Sequence, residues 1–233
     1  MSKKVLITGS SSGFGKLIAQ TLIKKGHSVV ASMRDPQGKN RNAAEELKKI
    51  GAHIVDIDVT SEKSVTEGVR EAVKLAGGID VVINNAGAGT IGLQEEYTPE
   101  DWKKLFDINV FGVQRINRAV LPHMRSKNSG LLVHISSLLG KFVLPFMGPY
   151  NSSKHALEAL AENYRVELSG LGIDSVIVEP GGFGTGFITN VLPSSDNKRT
   201  IEYGEFANAP MKMMQPFEEN LKGPNGPNPQ MVA

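Results

Sequence analysis

The sequence predicts an α/β fold, a doubly wound parallel sheet in a single domain. Three observations carry this. Short apolar runs alternate with longer segments of helical period, the runs are β-branched and continuous, and a glycine-rich turn follows the first of them. Val5–Ile7 reads as the first strand, followed by the Gly9–Gly15 turn and a helix over Lys16–Lys25. Ser28–Met33 reads as the second strand, Asn42–Ile50 as a helix and His53–Ile57 as the third strand. Ser61-Glu62-Lys63-Ser64 is a start signal for a helix reaching Ala76. Ile79–Ile83 has the unbroken apolar run of a central parallel strand. A long helix is expected over Pro99–Met124: Thr98 can cap it, Pro99 suits its first position, and Glu100 and Asp101 favour the positive end of its dipole. Leu131–Ile135 is the fifth strand, Pro149–Leu168 a helix and Ile173–Val178 the sixth strand. Beyond Gly181 the pattern loosens towards the Pro- and Gly-rich Leu221–Gln230. Residues 187–226 are therefore expected to be a loop and helix region covering a substrate, within one domain spanning 1–233.

Bulk composition narrows the function. The chain has 233 residues, 40% hydrophobic and 21% charged, which suits one soluble domain. A net charge of +2 with no basic run argues against a nucleic-acid partner. The absence of cysteine removes disulfides, thiol nucleophiles and zinc thiolates. The five histidines include no His-x-x-x-His pair, so no metal is expected. The first ten residues enter a glycine turn too soon for a secretory or membrane segment, and a cytoplasmic protein without membrane attachment is expected.

The turn itself points to a phosphate. Thr8-Gly9-Ser10-Ser11-Ser12-Gly13-Phe14-Gly15 lies between the first strand and the first helix. Glycines there admit φ > 0 and let backbone approach a pyrophosphate, while the helix aims its positive end at the anion. The spacing is Gly-x-x-x-Gly-x-Gly, not the general Gly-x-Gly-x-x-Gly. Gly9-x-Ser11-x-Gly13 also matches a hydrolase nucleophile elbow. That elbow follows several strands rather than the first, and His134 and His155 fall within a strand and a helix. The hydrolase reading is set aside.

With Asn84-Asn85-Ala86-Gly87, Ser137 and Tyr150-x-x-x-Lys154, the turn completes a set that resembles the classical short-chain dehydrogenase/reductase family, in order and spacing, from Lys3 to about Phe187. The resemblance implies a Rossmann domain binding a nicotinamide dinucleotide and working as a homo-oligomer, a dimer or tetramer. It implies that Tyr150 exchanges a proton with the substrate oxygen, that Ser137 rather than Ser136 orients that oxygen, and that Lys154 also holds the nicotinamide ribose. A free phenol titrates near pH 10, and Lys154 lies one helical turn on, so its ammonium is expected to lower the Tyr150 pKa. Asn109 shares a helical stripe with Leu105, Phe106, Val113 and Ile116 and should face inward. A structural bond to backbone and the family's proton-relaying water are both open to it. The resemblance assigns cofactor contacts to Thr8, Gly9, Ser11, Ser12, Gly13, Phe14 and Gly15, to Asp58 and Val59, and to Asn85, Ala86 and Gly87. In this resemblance Asn84 braces the central sheet. Pro180, Gly181 and Thr185 match the segment that fixes the nicotinamide ring, although the run Gly181-Gly182-Phe183-Gly184 leaves open which backbone groups touch it.

Cofactor choice is read at the end of the second strand, where an acid binds the NAD ribose and an Arg accommodates the NADP phosphate. In the family register Met33 takes the acid's place and Arg34 follows, favouring NADP(H). Asp35, and a glycine turn without a basic residue, keep NAD(H) as the alternative. Leu138, Leu139, Phe142, Leu144, Phe146, Met147 and Phe187 are candidate lining for an apolar carbonyl or alcohol substrate, or simply core. Family members continue through a helix to a seventh strand. Here that strand is expected to be absent, and Pro229–Ala233 reads as the start of that helix. The alternative to an enzyme is a non-catalytic NAD(P)-binding sensor, against which the Tyr150–Lys154 pair counts.

Overall fold

In the computed structural model, which describes residues 2–185, 191–223 and 226–233, six strands form one parallel sheet. They are β1 (Lys4–Ile7), β2 (Ser28–Met33), β3 (His53–Asp56), β4 (Val81–Asn84), β5 (Gly130–Ile135) and β6 (Ile173–Val178), in the order β3-β2-β1-β4-β5-β6. The order reverses between β1 and β4, and a crevice opens beyond the carboxyl ends of strands at such a point.

Alternation along the strands builds two cores. Leu6, Val30, Val82 and Leu132 face α3 (Glu62–Ala76) and α5 (Gly112–Lys127), meeting Val65, Val69, Ile116 and Val120. Val5, Ile7, Val29 and Ala31 face α1 (Gly13–Lys24) and α2 (Arg41–Lys49), meeting Ile18, Ala19 and Leu47. Helices thus cover both faces, which is why these strands read as continuous apolar runs. α6 (Gly148–Leu168) packs along β6, where the Ser175 hydroxyl donates to Ala161 O at 2.8 Å.

Three elements depart from the sequence expectation, each for a local reason. α1 begins at Gly13, inside the glycine turn rather than after it. β4 begins at Val81 because the Ile79 amide donates to His123 Nε2 (3.1 Å), outside the strand ladder. The long helix comprises α4 (Pro99–Phe106), a π-helical turn over Asp107–Phe111, and α5. Its start has the expected Thr98 cap, and Asp101 completes a capping box, with the Asp101 amide donating to the Thr98 hydroxyl (3.3 Å) and the Thr98 amide to the Asp101 carboxylate (3.1 Å). The π turn is followed by Gly112, where a Cβ would stand 2.9 Å from Val59, so the helix lies close on the segment after β3.

After β6 come α7 (Asn197–Glu202), a 3-10 turn over Gly204–Asn208 and α8 (Ala209–Lys222). Phe187 lies outside the described residues. Pro229–Val232 is a 3-10 turn set against α1, with Gln230 donating to the Thr21 hydroxyl at 2.5 Å and Ala233 joining the α1 core. Among the described residues β3 and β6 form the two edges of the sheet.

Candidate active site

The glycine turn is shaped by close approach of backbone to backbone. Gly9 has φ +68°, and a Cβ there would stand 2.8 Å from Ala86 Cα. Gly13 has φ +53°. Asn85 braces the turn: its side-chain amide donates to Thr8 O (2.9 Å) and Gly9 O (3.0 Å). Thr8 answers by accepting the Asn85 and Ala86 amides at 3.0 Å on its own hydroxyl. Thr8 is buried, so its hydroxyl serves the turn itself. Asn85 thus braces the turn, while Asn84, on β4, donates to Asn117 of α5 at 2.9 Å. Ser12 is the N-cap of α1 without a side-chain bond, and no acid lies in the first turn, so nothing opposes an anion at these amides. A turn that backbone crowding keeps free of side chains, opening onto uncapped amides, fits a dinucleotide pyrophosphate.

Other predicted contacts frame this crevice. Phe183 packs edge-on against Phe14 at 5.5 Å, and a Cβ on Gly13 would lie 3.9 Å from Thr185, so the loop after β6 folds over the turn. Pro180 O accepts the Leu138 amide at 3.0 Å. Asp58 accepts the amide (3.0 Å) and hydroxyl (2.7 Å) of Thr60, and Val59 is buried. Met33 is buried and Arg34 exposed. Asp35, at φ +47°, accepts the amides of Gly38 (3.0 Å) and Lys39 (2.8 Å). Ser11 is half-buried and Ser12 exposed.

Ser137, Tyr150 and Lys154 come together where β5 and α6 meet. Ser137 heads a 3-10 turn over Leu138–Gly140, its hydroxyl accepting the Leu139 amide at 3.1 Å and hydrogen-bonded with the Tyr150 phenol. Lys154 Nζ lies 5.7 Å from the Tyr150 ring centroid and donates to Ile135 O at 2.8 Å. Ser136 also lines the cavity, but its hydroxyl lies towards Gly140, where a Cβ would meet both it (2.9 Å) and Glu158 (2.8 Å). Burial pushes the Tyr150 phenol up to about 12, against the Ser137 hydrogen bond that lowers it. The net shift is upward where the sequence reading expected a lowering by Lys154, because burial outweighs the stabilising contacts. Burial likewise lowers the Lys154 ammonium to about 8, with Glu158 opposing. Asn109, on the π turn, is buried and donates to Ala88 O (2.9 Å) and the Ser153 hydroxyl (3.0 Å) while accepting the Ala88 amide (2.9 Å). These bonds supply the structural role that sequence left open for it.

Ser137, Tyr150 and Lys154 line a cavity of about 440 Å³. Beyond Asn85, Ser137, Tyr150 and Lys154 its wall is mostly apolar, including Leu138, Leu139, Phe142 and Met147. Phe146 is turned out of the cavity, with φ +64° and its ring 6.1 Å from that of Phe206.

The family description "short chain dehydrogenase" matches residues 3–195. The chain belongs to this family. It is 36% identical over 216 residues to a protein of Bacteroides thetaiotaomicron named 3-ketodihydrosphingosine reductase, covering 93% of this chain and 77% of that one. A solved short chain dehydrogenase/reductase from Burkholderia phymatum, in complex with NAD, is 25% identical with a TM-score of 0.81, covering 99% of this chain and 83% of that one. A gluconate 5-dehydrogenase from Burkholderia cenocepacia, in complex with NADP and tartrate, is 25% identical with a TM-score of 0.75, covering 90% and 79%. Dinucleotide-bound relatives of both kinds thus share the fold of this short-chain dehydrogenase. Among its described residues no helix is long and apolar enough to cross a membrane, and no three His, Cys, Asp or Glu side chains cluster for a metal.

Sequence reasoning expected a cover within residues 187–226 but named none of the α8 residues that form it. Met214, Phe217 and Leu221 of α8 line the cavity, and a Cβ on Gly182 would press on Phe217 at 2.6 Å. Their spacing of three and seven residues was a readable signal of an apolar face, obscured by Pro216 inside the helix. Also missed was the anchor of this cover. The Asp101 carboxylate accepts the amide (3.1 Å) and hydroxyl (2.5 Å) of Ser195, while Arg199 (2.8 Å) and Tyr203 (2.6 Å) reach Glu95. Although burial opposes it, hydrogen bonds from Ser195 and Thr98 bring the Asp101 pKa down to about 2. A carboxyl with a folded pKa below its unfolded value stabilises the fold above about pH 4 and loses that contribution as pH falls towards 2. Asp101→Asn is expected to lower Tm by several degrees at pH 7 and to flatten the acid limb of Tm against pH. An unchanged acid limb in differential scanning calorimetry would refute the anchor.

Proposed function

We propose that the chain transfers a hydride between NADP(H) and the carbonyl or secondary alcohol of a largely apolar small molecule. The observation that carries this reading is the meeting of Ser137, Tyr150 and Lys154 at one apolar cavity beside the glycine turn. The nicotinamide would supply or take up the hydride. Thr8, Asn85 and the crowded glycines hold the turn open to a pyrophosphate, and Phe14, Gly181 and Thr185, which line the cavity, would wall the nicotinamide end. Tyr150 hands its phenolic proton to the carbonyl oxygen in reduction. With burial holding its pKa at about 12 the phenol is protonated at neutral pH, which suits a general acid. Ser137 spends a lone pair on the Leu139 amide, so its proton is free for the Tyr150 or substrate oxygen. Lys154 brings positive charge to the phenolate as it forms. The mostly apolar wall favours a ketone with an apolar body, and the keto group in the name of the Bacteroides relative points the same way. The working form we propose is a cytoplasmic homo-oligomer; Phe111 and Val166 are exposed apolar residues on the outer helices.

Preference for NADP(H) over NAD(H) is supported by the second strand's end. Asp35 spends its carboxylate on the Gly38 and Lys39 amides, so the acid that would favour NAD is engaged in its own turn, while Arg34 is exposed. Fluorescence titration tests this. NADPH should bind more tightly than NADH, and Arg34→Ala should weaken NADPH by roughly 10–100-fold, the worth of charge-assisted hydrogen bonds, while leaving NADH nearly unchanged. An equal loss for both cofactors would overturn the assignment of Arg34.

A further inference from the structure

Lys141 sits at the centre of three carboxylates that belong to different pieces of the site. Its ammonium lies 3.0 Å from Glu158 and 3.6 Å from Glu162, both on α6, and 3.6 Å from Glu179, next to Pro180. Lys141 itself ends the turn that Ser137 begins. The serine turn, the tyrosine–lysine helix and the Pro180 loop are therefore stapled by one side chain. Of the three carboxylates Glu158 differs in kind. It is 5% exposed, against 65% for the side chain of Glu162, and a Cβ on Gly140 would stand 2.8 Å from its Cγ and Oε1. A buried carboxylate is costly unless its charge is used.

Glu158 lies one helical turn beyond Lys154 on the same face of α6, and both are buried. We infer that Glu158 is a positioning residue: tied by Lys141 to the turn carrying Ser137, it sets a buried negative charge one helical turn from Lys154, which favours the ammonium form beside Tyr150. Glu158 is the carboxylate that opposes the effect of burial on Lys154. The other titratable groups facing Lys154 are Tyr150 on α6 and His134 on β5. Burial holds the Tyr150 phenol at about 12 and the His134 imidazole at about 4, so both keep their neutral forms across neutral and mildly alkaline pH. Lys141, raised by its hydrogen bond to Glu158, stays charged there. A titration between pH 6 and 10 thus isolates Lys154.

The inference rests on the reading of Lys154 as the residue that charges the tyrosine, but its test does not require turnover. The full chain is labelled with [13Cε]-lysine, the Lys154 resonance is assigned with Lys154→Met, and its midpoint is followed in wild type and in Glu158→Gln. Removing the nearby negative charge should move the midpoint down by roughly one pH unit, a tenfold weaker hold on the proton. Glu158→Asp, which keeps the charge, should recover most of the shift. An unshifted midpoint in Glu158→Gln overturns the inference. Should that variant fail to fold, Lys141→Met decides, since Lys141 is half-exposed. Freed of its competing cation, Glu158 should then raise the Lys154 midpoint, and a midpoint that stays or falls overturns the inference. A wild-type rate that survives Tyr150→Phe would instead sink the acid/base reading, whatever Lys154 does.

Discussion

Tyr150→Phe is expected to lower kcat/KM for carbonyl reduction by roughly 10²–10⁴-fold, the usual worth of a positioned general acid, with NADPH affinity held within about threefold. The ring packs with Leu105, Leu139 and Met147, and Phe keeps that packing. Only the hydroxyl leaves, together with its hydrogen bond to Ser137, which still accepts the Leu139 amide. Loss of binding and rate together would therefore point to a damaged site rather than a missing proton. Because burial holds the phenol at about 12, wild-type reduction should show no loss of acid below about pH 9, whereas alcohol oxidation, which needs the phenolate, should climb with pH. Should wild type bind NADPH tightly yet turn over no carbonyl in a broad screen, the sensor alternative takes over.

The fold was legible because its signals are local and repeated. Each buried strand is a short β-branched run, and burial on both faces is what makes such a run continuous, so β2 and β6 match their expected bounds. The site was legible for a different reason: backbone crowding at Gly9 and a one-turn spacing from Tyr150 to Lys154 are written in consecutive residues. What stayed hidden depends on contacts between distant segments. The role of Asn85 needs the carbonyls of Thr8 and Gly9 beside it, and no pattern within Asn84-Asn85-Ala86-Gly87 says which amide points there. The upward shift at Tyr150 is a property of enclosure, which a motif does not encode. The π turn at Asn109 cannot be told from a regular helix by periodicity, because its apolar neighbours keep the same face buried.

Gly15→Ala should produce the second large effect, and its sign is not the one helix propensity suggests. Gly15 lies in the first turn of α1, where Ala in place of Gly would by propensity alone stabilise by about 1 kcal/mol. The new Cβ, however, would press into Gly9 O and the Asn85 amide, the two groups whose hydrogen bond ties the glycine turn to β4. One of those atoms is backbone, so the overlap is relieved by moving the turn or by expelling Asn85. Overpacking of this kind costs about 1–3 kcal/mol, and a displacement felt at the pyrophosphate site should weaken NADPH by roughly 5–150-fold. Gly26→Ala is the control. Gly26 has φ +83° but nothing within 4 Å of its would-be Cβ, so Ala there strains the backbone without touching the turn. It should lower Tm while leaving NADPH affinity unchanged. If Gly15→Ala binds NADPH as wild type does, the close approach at the turn is not what shapes the cofactor crevice; if both variants weaken it alike, general loosening of the fold explains the loss.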